Sequence, residues 1–161
     1  MTSPSSTESA GSPGSAAAAA PLNPRILGQA ENAHTAILNR ALAGTELNKD
    51  HWVALSLTMA AGSALAVDEL VGQVTAALKV DQAGARAVIA DLVATELLDG
   101  KEIDGEVAVT ESGRLLFGQI RGATGRIVAR AYSAVPAEDL QVAGRVLATI
   151  TSRLNEELAA A

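Results

Sequence analysis

The sequence predicts a mainly α-helical fold carrying one small β-hairpin, and three observations predict it. Nearly half of the 161 residues are apolar, yet only Trp52, Phe117 and Tyr132 are aromatic. A core must then be built from Ala, Leu, Val and Ile, which suits closely packed helices. Apolar residues recur at three- and four-residue steps along most of the chain, the period of a helix face. A single run, Asp99 to Val109, carries two glycines between short strand-like segments, as a hairpin does. The length fits one domain with one core.

The elements follow in order. Residues 1–22 form a Ser/Thr/Pro/Gly/Ala tract whose one charge is Glu8. It lacks the positive start and apolar stretch of a secretory signal, Ala16 to Ala20 being too short. Such a tract buries too little surface to offset its ordering entropy, so a disordered tail is expected, followed by a single domain over 23–161. A first helix is expected after Asn23-Pro24, because proline suits the first turn. It carries Ile26, Ala30, Ala33, Ile37 and Ala41 on one face and ends at Gly44. Asn48 caps a second helix with Trp52, Leu55 and Met59 inward, stopped at Ala61-Gly62.

The third helix runs from Val67 to Leu78 with Leu70, Val71, Val74 and Leu78 inward. Asp81 takes the next N-cap, and the fourth helix reaches about Thr95 on an inner face of Ala85, Val88, Ile89, Leu92 and Val93. After the hairpin, Thr110 caps a fifth helix reaching about Ser133. Gly113, Gly118, Gly122 and Gly125 each weaken it by about 1 kcal/mol relative to Ala where they are exposed in its interior. Small residues at such steps also let another helix approach closely. Pro136 opens a sixth helix, where Leu140, Ala143, Leu147, Ile150, Leu154 and Leu158 form a stripe that wants a partner. That stripe packs either within one subunit or across two. A homodimer paired through the first and sixth helices is the expectation. Helix, turn, helix and short hairpin over 66–112 is the plan of a winged helix-turn-helix, with 23–62 and 113–161 as support and dimerisation helices.

The charge sits awkwardly on that plan. The whole chain carries −6. From Ala66 to Gly113, Lys79, Arg86 and Lys101 face ten acids, a net of −7. Affinity for DNA comes largely from neutralising phosphates, so an acidic module opposes it. The absence of cysteine removes disulfides, thiolate nucleophiles and cysteine metal sites. No stretch approaches the apolar length of a membrane span, and a cytoplasmic protein is expected. His34 and His51 fall on different helices, and a metal site needs further ligands. No phosphate loop, nucleophile elbow or carboxylate pair emerges, so neither enzymatic activity nor a cofactor is expected.

Several segments together resemble the MarR family of winged-helix regulators. Leu47-Asn48-Lys49-Asp50-His51-Trp52 is similar to the opening of that family's second helix, and Val67-Asp68-Glu69-Leu70 to the start of its third. Asp81 to Leu98 matches its recognition helix and exit strand without a gap. Val109-Thr110-Glu111-Ser112-Gly113-Arg114 resembles its entry into the fifth helix, and Val135-Pro136-Ala137-Glu138-Asp139-Leu140 the start of its last. The resemblance covers about Arg25 to Leu158. It implies a homodimer that binds a palindromic, double-stranded DNA operator and responds to a small aromatic ligand near the dimer interface. The departures lie on the DNA side. Ala83 and Gly84 stand where the family often has hydroxyls, and Ala87 and Asp91 where it often has arginine. The wing is shorter, and Lys101 is its one cation.

Four residues remain as DNA-binding candidates. Gln82 offers a hydrogen bond to a base edge, and Arg86 reaches guanine or phosphate in the major groove. Lys79 and Lys101 each neutralise a phosphate. All four also read as ordinary solvated residues. Arg114, Arg121, Arg126 and Arg130 are expected to pair with acids within the fifth helix or across subunits. For a ligand, His34, His51 and Trp52 supply two polar handles and one aromatic wall between the first two helices; the plainer reading makes Trp52 core and the histidines rim. Two functions stay open. One is a MarR-like transcriptional regulator. The other is a degenerate winged-helix protein that no longer binds DNA and serves as a protein-interaction or small-molecule-binding module, its acidic face docking a basic protein partner.

Overall fold

Four capped helix starts organise the chain. The computed structural model describes residues 21–100 and 105–160. Its elements are α1 (Pro24–Leu42), α2 (Lys49–Ala61), β1 (Leu65–Ala66), α3 (Val67–Leu78), α4 (Gln82–Ala94), β2 (Leu98–Asp99), β3 (Glu106–Val109), α5 (Glu111–Tyr132) and α6 (Ala137–Ala160). Asn23 accepts from the Ile26 amide at α1, and Asn48 from the Asp50 and His51 amides at α2. Asp81 accepts from Gly84 at 2.8 Å, and Thr110 from Gly113 at 2.9 Å. Each such cap is worth about 1 kcal/mol. Asn48, Asp81 and Thr110 cap where they were expected to, and α1 starts at the expected Pro24 with Asn23 as its cap.

The core lies where α2, α3 and α4 meet above the sheet. Leu55, Leu70, Leu92, Leu98, Val74, Val107 and Thr58 are its largest fully buried side chains. Thr58 avoids an unpaired hydroxyl by donating to the Ala54 carbonyl at 2.9 Å. The inner face of α2 is therefore Ala54, Leu55 and Thr58, with Trp52 and Met59 half-buried at its edges. The small sheet has three strands, in the order β1-β3-β2 and antiparallel throughout. β3 pairs Leu98 with Val109 on one side and Leu65 with Val107 on the other. β1 is too short to leave a period in the sequence; its partner fixes it. The hairpin tip and Lys101, like most of the tail expected over 1–22, lie outside the described residues.

Outside this module the packing thins. Along α5 only Gly113 and Ile120 are buried, and in α1 only Leu42. The expected inner face of α1 is only partly covered: Ile26 and Ile37 are half-buried, whereas Ala30 and Ala33 are exposed. α6 contains no buried residue, and Val142, Val146, Leu147, Leu154 and Leu158 of its apolar face are exposed. No helix among the described residues is long and apolar enough to cross a membrane.

Candidate functional site

The two helices α3 and α4 and the turn between them present the candidate nucleic-acid interface. Leu70, Val71 and Val74 root α3 in the core, and Ala85, Ile89 and Leu92 root α4. The opposite face of α4 is left open: Gln82, Ala83, Ala87, Ala90, Asp91 and Ala94 are exposed. Gln82 is the first residue of α4, free of the core as its candidate role requires. Lys79 is the left-handed C-cap of α3, at φ 58°, and its side chain projects from the turn.

Arg86 is placed differently from the expectation of a groove-facing cation. Its Nη2 donates to Asp68 Oδ1 on α3 at 2.5 Å. Its Nη1 is buried and makes no hydrogen bond among the described residues. The N-terminus of α4 is also occupied, since the Asp81 carboxylate takes the Gly84 amide that an anion would use. Sequence spacing gave no sign of Asp68 as Arg86's partner, because the pairing depends on how α3 and α4 cross.

The three ligand candidates enter three separate contacts, and among the described residues none hydrogen-bonds to or stacks on another. His34 shares a hydrogen bond with the Tyr132 hydroxyl at 3.1 Å, edge-on to its ring, while its Nδ1 lies 2.8 Å from the Ala30 carbonyl. Both rings are exposed on the α1–α5 face. His51 closes the α2 capping box: its Nδ1 accepts from the Asn48 amide, and its Nε2 lies 3.3 Å from Asp91. That arrangement selects the tautomer with the proton on Nε2. Trp52 stacks on Phe117 with ring centroids 4.8 Å apart, and the Arg121 guanidinium lies 5.9 Å from the Phe117 centroid. Such a stack contributes about 0.5–1.5 kcal/mol beyond its buried area.

Two small clefts lie near the two ends of α2. One of about 240 Å³ runs between the start of α2 and the end of α4 and is lined in part by Glu46, His51 and Asp91. The other, about 150 Å³, is lined by Thr58, Met59 and Arg114 among others. Arg114 is held by Glu111 at 3.2 Å and by the Val109 carbonyl at 2.7 Å, so it pairs within its own segment as expected of the α5 cations. Among the described residues no group of three or more histidines and carboxylates is placed to hold a metal ion. Among the described residues one carboxyl is clearly perturbed: the Lys49 ammonium, then the Thr35 hydroxyl, hold Glu31 below the usual carboxylate range. That pair ties α1 to α2.

These elements define a winged helix-turn-helix with long flanking helices. No family model matches the chain, and no curated protein matches it. Solved structures do. CouR from Rhodococcus jostii RHA1, bound to p-coumaroyl-CoA, superposes with a TM-score of 0.64 at 18% identity, over 78% of this chain and 88% of that one. BpsR of Bordetella bronchiseptica, whose DNA binding is regulated by 6-hydroxynicotinic acid, gives 0.60 at 22% identity over 80% and 92%. A MarR-family transcriptional regulator from Silicibacter pomeroyi gives 0.65 at 16% over 81% and 88%. The chain thus has the winged-helix fold of MarR-family regulators, as its motifs implied.

Proposed function

We propose that the chain is a homodimeric, MarR-like transcriptional regulator that sets α4 against double-stranded operator DNA and is modulated by a small aromatic ligand. The open face of α4 carries this reading. One side of the helix is fixed in the core by Ala85, Ile89 and Leu92, and the other offers Gln82 among alanines, with Asp91 as its one acid. A rigid helix with a slim outer face approaches a groove closely, and few base contacts leave sequence preference to DNA shape. The exposed apolar face of α6 supports the dimer, since a second copy of the same face would cover it.

For the ligand, the fold-level neighbours supply the chemical class, a small aromatic acid or its thioester. His34 and Tyr132 are the polar handles we assign to it on the α1–α5 face. His51 and Trp52 we assign to structure, the first as a cap and the second as half of an aromatic stack. The test is retention of sheared genomic DNA by the purified protein at low and moderate salt, with sequencing of what is retained. Enrichment of a palindrome, weakening as salt rises, supports an operator-binding dimer. A folded dimer that retains nothing at low salt rejects it.

A second reading is favoured by the Asp68–Arg86 pair and the Asp81 cap, which together occupy the cation and the helix end that would meet phosphate. In that reading the acidic winged module docks a basic protein partner and is blind to DNA. Ala83→Lys with Ala87→Lys separates the two, as argued below.

A further inference from the structure

This inference rests on the DNA-binding reading. Arg86 is the one cation on α4, and it turns toward α3, where a single carboxylate holds it. Its second terminal nitrogen is buried without an acceptor among the described residues, which works against this rotamer. Asp68 has a second source of stabilisation. It lies in the first turn of α3, whose N-cap Ala66 supplies no side-chain acceptor, so the helix end itself favours a carboxylate there. The helix end therefore favours Asp68 where it stands with or without Arg86, whereas Asp68 is the one carboxylate among the described residues that pairs with Arg86. Both side chains reach solvent, at 73% and 36% exposure, so the pair can exchange partners.

We propose that Asp68 occupies on Arg86 the place that a DNA phosphate oxygen takes in the complex, making the α3–α4 ion pair an internal competitor that limits the affinity of α4 for DNA. Carboxylate and phosphate oxygens are equivalent anionic acceptors for a guanidinium, and phosphate accepts it two-pronged. Docking exchanges one for the other. It also leaves an unpaired carboxylate near the DNA, so both consequences of Asp68 oppose binding.

The test measures the full-length protein against a labelled mixed-sequence duplex by fluorescence anisotropy over a salt series. Asp68→Asn is expected to bind about tenfold tighter per dimer at low salt, with the log–log salt slope nearly unchanged, because Arg86 meets the same phosphate in both complexes. Glu69→Gln removes the same charge from the next residue, whose carboxylate meets Gln73 rather than a cation. It should give a smaller gain and no change in slope. Adding Arg86→Ala to Asp68→Asn should abolish the gain. Asp68→Ser provides a second uncharged variant, and a thermal melt verifies that each is folded. An equal gain from Glu69→Gln, or a gain that survives loss of Arg86, overturns the proposal. If the wild type binds DNA and Asp68→Asn binds no tighter, the competitor is rejected while the DNA reading stands. If neither binds at the lowest salt, both are rejected.

Discussion

Gly113 and Gly122 occupy one helix and have opposite requirements. A Cβ on Gly113 would lie 2.2 Å from the Leu97 carbonyl oxygen and 2.8 Å from Val109 Cγ1, so backbone would have to move. That carbonyl also accepts the Thr110 amide and hydroxyl, which lock α5 onto the strand exit. Gly113→Ala should therefore destabilise by about 3 kcal/mol in urea unfolding, and a loss below about 1 kcal/mol would mean the junction yields. A Cβ on Gly122 meets nothing within 4 Å. There alanine should stabilise the isolated protomer by up to about 1 kcal/mol through helix propensity. Lys79 poses the converse question, a side chain held at φ 58°. Lys79→Gly relieves that conformation, and a gain of about 0.5–1 kcal/mol is expected in the same assay. If Lys79 also touches phosphate, the same variant binds DNA more weakly while being more stable, a combination no purely structural role produces.

Element boundaries were legible because each rests on a local chemical requirement. Asn48, Asp81 and Thr110 could be identified as caps from type and position alone, and Pro24 marked the first helix that Asn23 caps; all four accept a helix-start amide. Burial was legible only where a helix has neighbours on a full face, as α3 and α4 do. In α1 and α6 the apolar period is equally plain, yet most of it lies exposed in the protomer, because period reports a face and not what covers it. For α6 the expected cover is the second copy. In the proposed dimer, Leu147→Glu with Leu154→Glu should leave a folded monomer in sedimentation velocity, and an unchanged sedimentation coefficient would remove α6 from the interface. The tie between α1 and α2 has a pH signature. Because Glu31 is held below the usual carboxylate range by Lys49, its stabilising contribution is present above its unfolded value and is lost as pH falls through the lower folded one. The thermal-stability difference between wild type and Lys49→Met should accordingly vanish in acid. A difference that persists there would show that Lys49 acts through packing. Since the pair is exposed, added salt should shrink the difference at neutral pH as well.

At the scale of the whole molecule, charge and shape pull apart. The sequence made the helix-turn-helix legible, and with it Gln82 and Lys79 at the exposed start of α4 and the turn before it. It could not make Arg86's engagement legible, because an ion pair between α3 and α4 depends on helix crossing rather than spacing. The same limit hid the meeting of His34 with Tyr132 from opposite ends of the chain. What decides function is then whether an acidic protein, −6 per chain, keeps a docking geometry for DNA. Adding cations to α4 tests geometry apart from charge. Ala83 and Ala87 are exposed, so Ala83→Lys with Ala87→Lys should leave stability within about 0.5 kcal/mol. If α4 faces a groove, a dimer of this variant gains up to four phosphate contacts, and its log–log salt slope steepens by about 3–4 relative to wild type. Placing the same two cations at Gln141 and Ala148 on α6, both exposed, changes net charge equally but away from α4. It should raise affinity only weakly and leave the slope nearly unchanged. A steep slope confined to the α4 variant makes the fold DNA-facing and leaves the wild type's own carboxylates as the brake. Equal, shallow gains from both variants would mean that α4 never meets the duplex, and the acidic face would then belong to a basic protein.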